Sequence, residues 1–159
     1  MVRRGAQRMR SSLAVGIVVC ALGCILSSCA KKTVYSEVYT LPCEGWHEDS
    51  VLTYSVEIED TTAGYDVLLY VRHTQQYPYQ NMWLFVGGDT IEFYLADQRG
   101  RWLGNGWGDL REMPVIYQHN MRFPRSGYYS YTIRQGMRDS VLQGVRDVGL
   151  TIVKSDGKE

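Results

Sequence analysis

The chain has 159 residues, 45% of them hydrophobic, with 17 Lys and Arg against 17 Asp and Glu. That length suits one domain behind a leader. A balanced charge lacks the basic footprint that nucleic-acid binding needs, so nucleic acid is not an expected partner. The first 28 residues read as a secretory signal peptide. Arg3, Arg4, Arg8 and Arg10 precede an apolar run from Leu13 to Leu26, and small residues follow. The run covers 14 residues, short of the roughly 20 that a helix needs to cross a bilayer.

Leu26-Ser27-Ser28-Cys29 resembles the bacterial lipobox, in which the cysteine thiol is acylated and the chain is cut just before it. Cleavage there leaves 131 residues with 13 basic and 17 acidic side chains, a net charge of −4. Cys20 and Cys24 depart with the leader and Cys29 is blocked by its lipid, so Cys43 has no intrachain partner. It reads as a buried small hydrophobe. Each buried acyl methylene contributes about 0.8 kcal/mol to membrane binding, so several chains make a firm anchor. Residues 29–42 hold the lipidated cysteine and a polar tether, and residues 43–159 the folded domain. The tether lacks an acidic run resembling the surface-export signals of some lipoproteins, which favours an outer-membrane anchor facing the periplasm.

Beyond the tether, short strands alternate with Gly, Pro, Asp and Asn. Val51 to Ile58 has period two, with Leu52, Tyr54, Val56 and Ile58 on one face. Asp60 to Gly64 is a turn. Tyr65 to His73 is apolar on both faces, the pattern of a central strand. Gln75 to Gln80, with Pro78, is a loop. Met82 to Val86 and Thr90 to Asp97 are strands joined through Gly87-Gly88-Asp89. Gln98 to Asp109 is irregular and carries Gly100, Gly104, Gly106 and Gly108. Val115 to Phe123 puts Val115, Tyr117, His119, Met121 and Phe123 on one side. Tyr128 to Arg134 alternates after Gly127, Met137 to Leu142 could form one helical turn, and Asp147 to Lys154 is the last strand. Seven or eight such strands predict an all-β, antiparallel β-sandwich, jelly-roll or immunoglobulin-like.

Chemistry-bearing motifs are sparse. Gly104-Asn105-Gly106-Trp107-Gly108 lacks the following helix and the Lys-Ser/Thr of a phosphate loop. Asp89, Asp97 and Asp109 have no calcium-loop spacing and read as turn formers. His47, His73 and His119 are not spaced for zinc, no Gly-x-Ser-x-Gly elbow exists, and His119 reads as a core or edge residue. No catalytic residue, metal or cofactor is expected. Trp102 and Trp107 offer flat faces on a glycine-rich loop, and Pro78 stiffens Tyr77 and Tyr79 nearby. Tyr77, Tyr79, Trp102 and Trp107 are therefore the candidate contacts for a protein partner or, alternatively, a glycan; the competing reading is that the tryptophans cap the core.

Several segments in order resemble the GldH family of gliding-motility lipoproteins of Bacteroidota. They are Cys29; Trp46 with Asp49; Tyr77 to Leu84; Asp97 and Gly100 to Gly106; Gly127-Tyr128-Tyr129; Met137-Arg138; and Gly144 to Ile152. The resemblance implies a cell-envelope lipoprotein, not an enzyme, associated with gliding and the linked type IX secretion machinery. It carries one defined site onto this chain, the acylated Cys29. Cys29→Ala should therefore abolish labelling by radioactive palmitate and leave a precursor 28 residues longer, read on a denaturing gel.

Overall fold

Alternation decides which side of each strand leaves water. In β3 (Leu52–Ile58) the four apolar residues expected to share a face are all buried, and Thr53, Ser55 and Glu57 are exposed. The computed structural model describes residues 33–156, so Cys29 and the leader lie outside the described residues. Besides β3 it contains β1 (Thr33–Thr40), β2 (Trp46–His47), β4 (Tyr65–Thr74), β5 (Asn81–Val86) and β6 (Asp89–Tyr94). β7 (Leu110–Met121), β8 (Gly127–Gln135), β9 (Val141–Leu142) and β10 (Val145–Lys154) complete the set. No helix occurs among the described residues.

Two antiparallel sheets form the domain, in the orders β1-β10-β4-β7 and β3-β8-β5-β6, with β2-β9 as a small separate ribbon. Leaving that ribbon aside, β1 pairs with β10, β3 with β8, β4 with β7 and β5 with β6. This nested pairing is one long hairpin folded over on itself, the double-sheet jelly roll, and it selects between the two sandwich types expected. One apolar cluster joins the inner faces, with Val67, Leu69, Val71, Val148, Leu150 and Ile152 from the first sheet meeting Tyr54, Val56, Leu84 and Ile133 from the second. Polar rivets cross the interface as well. Tyr54 Oη donates to Val148 O (2.8 Å) and Tyr39 Oη to Thr53 O (2.9 Å), and the two rings meet edge to face at 5.1 Å.

Four sequence expectations change. The segment taken as tether becomes strand from Thr33, because β1 finds its ladder on β10 while its side chains stay mostly exposed. The strand expected from Val115 begins five residues earlier, since Pro114 lies in an edge strand, where a missing N–H is tolerated. Met137 to Leu142 forms no helical turn; Val141 and Leu142 pair instead with His47 and Trp46. Cys43 is exposed, not buried, because it sits on a turn closed by Gly45 N–H to Pro42 O (3.1 Å), with Leu41 and Trp46 occupying the core on either side.

Tyr54 is fully buried, and its hydroxyl reaches the opposite sheet. Tyr54→Phe should lower unfolding free energy by about 1–2 kcal/mol in urea titrations, because the lost bond leaves a buried carbonyl without that donor.

Candidate functional site

The end of the sandwich reached by the C-terminal end of β1 collects the aromatic residues. Thr40 pairs with Asp147 there, and Thr74 with Leu110. The loop after β4 and the glycine-rich loop before β7 therefore emerge side by side. Gly104, at φ +76°, lets its loop lie directly against β7; a side chain there would strike the Glu112 carbonyl. Asn105 and Glu112 exchange backbone hydrogen bonds at 3.1 and 2.7 Å. Gly104 and Gly106 thus serve close backbone approach to β7.

Four rings pack in this region. His73 lies 4.7 Å from Trp102 and 5.6 Å from Tyr77, centroid to centroid, and Tyr77 lies 6.0 Å from Tyr79 and 6.4 Å from Trp102. Tyr77 is buried and donates to Asn81 O (2.8 Å), so its ring packs in the core. Burial pushes its phenol well above the ordinary value. Tyr79 and Trp102 are half-buried against the same core. The Tyr79 hydroxyl donates to both oxygens of Asp139, at 3.0 and 2.9 Å, and that bond raises its pKa. Trp107 does not join them. It stands 92% exposed on its loop, so of the four sequence candidates it alone offers a free ring.

His73 was not singled out by the sequence beyond lacking a zinc partner. Its ring is fully buried, with Nδ1 3.0 Å from Thr74 O, and Nε2 has no hydrogen-bond partner among the described residues. Burial pushes its pKa below the ordinary value; the Thr74 carbonyl opposes this and the Arg111 charge adds to it. His119 lies where the β4–β7 ladder shifts register, half exposed, with Nδ1 2.9 Å from Asp66 Oδ1. The edge reading of His119 matches that position.

The three aspartates do not converge. Asp97 Oδ1 accepts Arg99 N–H and Arg101 N–H (both 2.9 Å) while Oδ2 meets Arg101 Nε (2.7 Å), which holds its carboxyl below the usual range. Asp89 instead accepts the Tyr117 hydroxyl (2.5 Å). Among the described residues no group of three His, Cys, Asp or Glu could hold a metal ion.

Two segments that carried the family resemblance meet here, through Trp83 N–H with Met137 Sδ (3.3 Å). The family model described as GldH lipoprotein matches residues 33–152. The chain belongs to the GldH lipoprotein family. Among its relatives, the gliding motility lipoprotein GldH homolog of Christiangramia forsetii is 35% identical over 93% of this chain and 99% of its own. The gliding motility lipoprotein GldH of Flavobacterium johnsoniae is 32% identical over 83% of this chain and 91% of its own. No solved structure matches. Family membership makes this chain a lipid-anchored protein of the cell envelope.

The buried His73 gives the GldH domain a signed pH response. The unfolded chain takes up a proton that the folded ring resists, so stability holds above the ordinary histidine value near 6.5 and falls as pH drops below it. Thermal midpoints followed from about pH 7.5 to about pH 5.5 should decline less steeply in His73→Phe than in the wild type.

Proposed function

We propose that this chain is a gliding-motility lipoprotein acting as a non-enzymatic assembly component, held by acylated Cys29 in the outer membrane on its periplasmic side. Its place is beside the gliding and type IX secretion machinery, and its partner there is an envelope protein. The exposed Trp107 carries this reading. An indole with nothing packed on it costs apolar exposure unless something else covers it, and tryptophan is the side chain most enriched at protein–protein hot spots.

Chain direction supports the arrangement. Thr33 follows Cys29 by four residues, which extend to at most about 14 Å. β1 then runs away from that point for eight residues, roughly 25 Å, before the end bearing Trp107 is reached. The described chain therefore enters at one end of the sandwich, and the loop bearing Trp107 lies at the other. Acidic mature charge disfavours docking of this domain on anionic lipid and leaves a protein as the better occupant of the far end.

Crosslinking in native membranes with the anchor intact tests the reading. Trp107→Ala should lose the crosslinked envelope partner while its melting temperature stays within experimental error of wild type. Trp102→Ala, whose ring packs on the core, should instead lose about 2–3 kcal/mol of stability. Undiminished crosslinking of Trp107→Ala would exclude the tryptophan loop as the docking point.

A further inference from the structure

The outer face of the second sheet carries aromatic side chains where a solvated face should be polar. On β5 the inward residues Met82, Leu84 and Val86 are fully buried, as alternation requires. Their outward neighbours are Trp83 and Phe85, which remain 38% and 37% exposed. Tyr94 on β6, opposite Asn81, is 59% exposed and lies diagonal to Trp83. Arg134 on β8 faces Phe85, its guanidinium 5.1 Å from the ring centroid.

A wall rises beside these rings. After β8 the chain turns along β5, with Gly136 N–H on Trp83 O (2.8 Å). Gly136 passes so close that a side chain there would press on the Phe85 ring at 3.1 Å. The result is a trough of two adjoining hollows that share Gly136 and Met137. One, of about 390 Å³, is lined by Tyr79, Asn81, Trp83 and Arg138 besides the shared pair. The other, of about 250 Å³, is lined by Glu48, Asp49, Phe85 and Arg134 among others.

The geometry points to a saccharide site along this trough, taking a neutral pyranose chain of hexose or N-acetylhexosamine units. A pyranose presents an apolar C–H face to a flat ring and a rim of hydroxyls to planar polar groups. Trp83 in the larger hollow and Phe85 in the smaller supply the flat rings. The Asn81 carboxamide, fixed by its bond to Glu92 Oε1 (2.6 Å), and the guanidinium of Arg138 supply groups suited to paired hydroxyls. Two arginines and two acids line the trough, so it has no net charge to attract a polyanion or polycation. The core of a protein interface, by contrast, sheds such charges. The larger hollow falls within the roughly 300–1,000 Å³ range of small-ligand sites. This site is separate from the Trp107 loop and stands or falls without it.

Isothermal titration of the full acylated chain, in micelles of a detergent without a sugar headgroup, provides the test. The probes are the tetramer of N-acetylglucosamine, cellotetraose and maltotetraose. At least one should bind saturably, and Trp83→Ala should weaken it about tenfold, while Trp83→Tyr, which keeps a flat ring, retains most of the affinity. Arg138→Ala, at an exposed position on the rim of the larger hollow, should also weaken binding with its melting temperature unchanged, which separates lost contacts from lost folding. Trp107→Ala should bind as wild type does. Absence of saturable binding to all three sugars overturns the site, as does binding that survives both Trp83→Ala and Arg138→Ala or is lost in Trp107→Ala alone.

Discussion

The pairing of the first strand with the last holds the domain together. β10 lies between β1 and β4, and all but three of its ten residues are buried. Its inward residues Val148, Leu150 and Ile152 meet the opposite sheet, and the Val148 carbonyl accepts the Tyr54 hydroxyl from across the core. β1 has no other neighbour in its sheet. The remaining pairs nest inside it, each closing a shorter loop than the pair outside. Such long-range pairing pays loop-closure entropy before its contacts are made, which makes folding slow relative to helical domains of the same size.

What the sequence disclosed tracks how strongly burial marks a segment. β3, β4 and β10 were legible because one or both faces are buried, and period two or a continuous apolar run betrays that directly. β1 was not, since an edge strand with six of its eight residues exposed looks like tether; its Thr, Val and Tyr content was the remaining signal. The two-residue strands β2 and β9 are too short to carry a period. Cys43 misled because cysteine is so often buried, yet Pro42 and Gly45 around it already spelled a turn.

The candidate site divides along the same line. Aromatic residues on loops attracted notice because loops are expected to be polar, and three of the four proved to pack on the core, leaving Trp107 free. Trp83, Phe85 and Tyr94 escaped because they sit in strands, where aromatics are ordinary. Only the phase of the alternation shows that they face outward: Met82, Leu84 and Val86 claim the interior, so Trp83 and Phe85 cannot. His73 likewise was a lone histidine until burial gave it an unpartnered nitrogen.

The antiparallel β1–β10 ladder also sets how the domain would carry load. A pull on the chain where it enters β1, against a hold on the loop before β7 at the opposite end, runs along the strand axis. Force in that direction shears the seven paired positions of the ladder together. A pull across the sheet would instead open them one at a time, from the edge. Resistance to forced unfolding is governed by the unfolding rate and not by equilibrium stability, and a ladder loaded in shear raises that barrier without any added contact. A domain pulled at the start of its first strand and held at the far end is, by its topology, a strap loaded lengthwise.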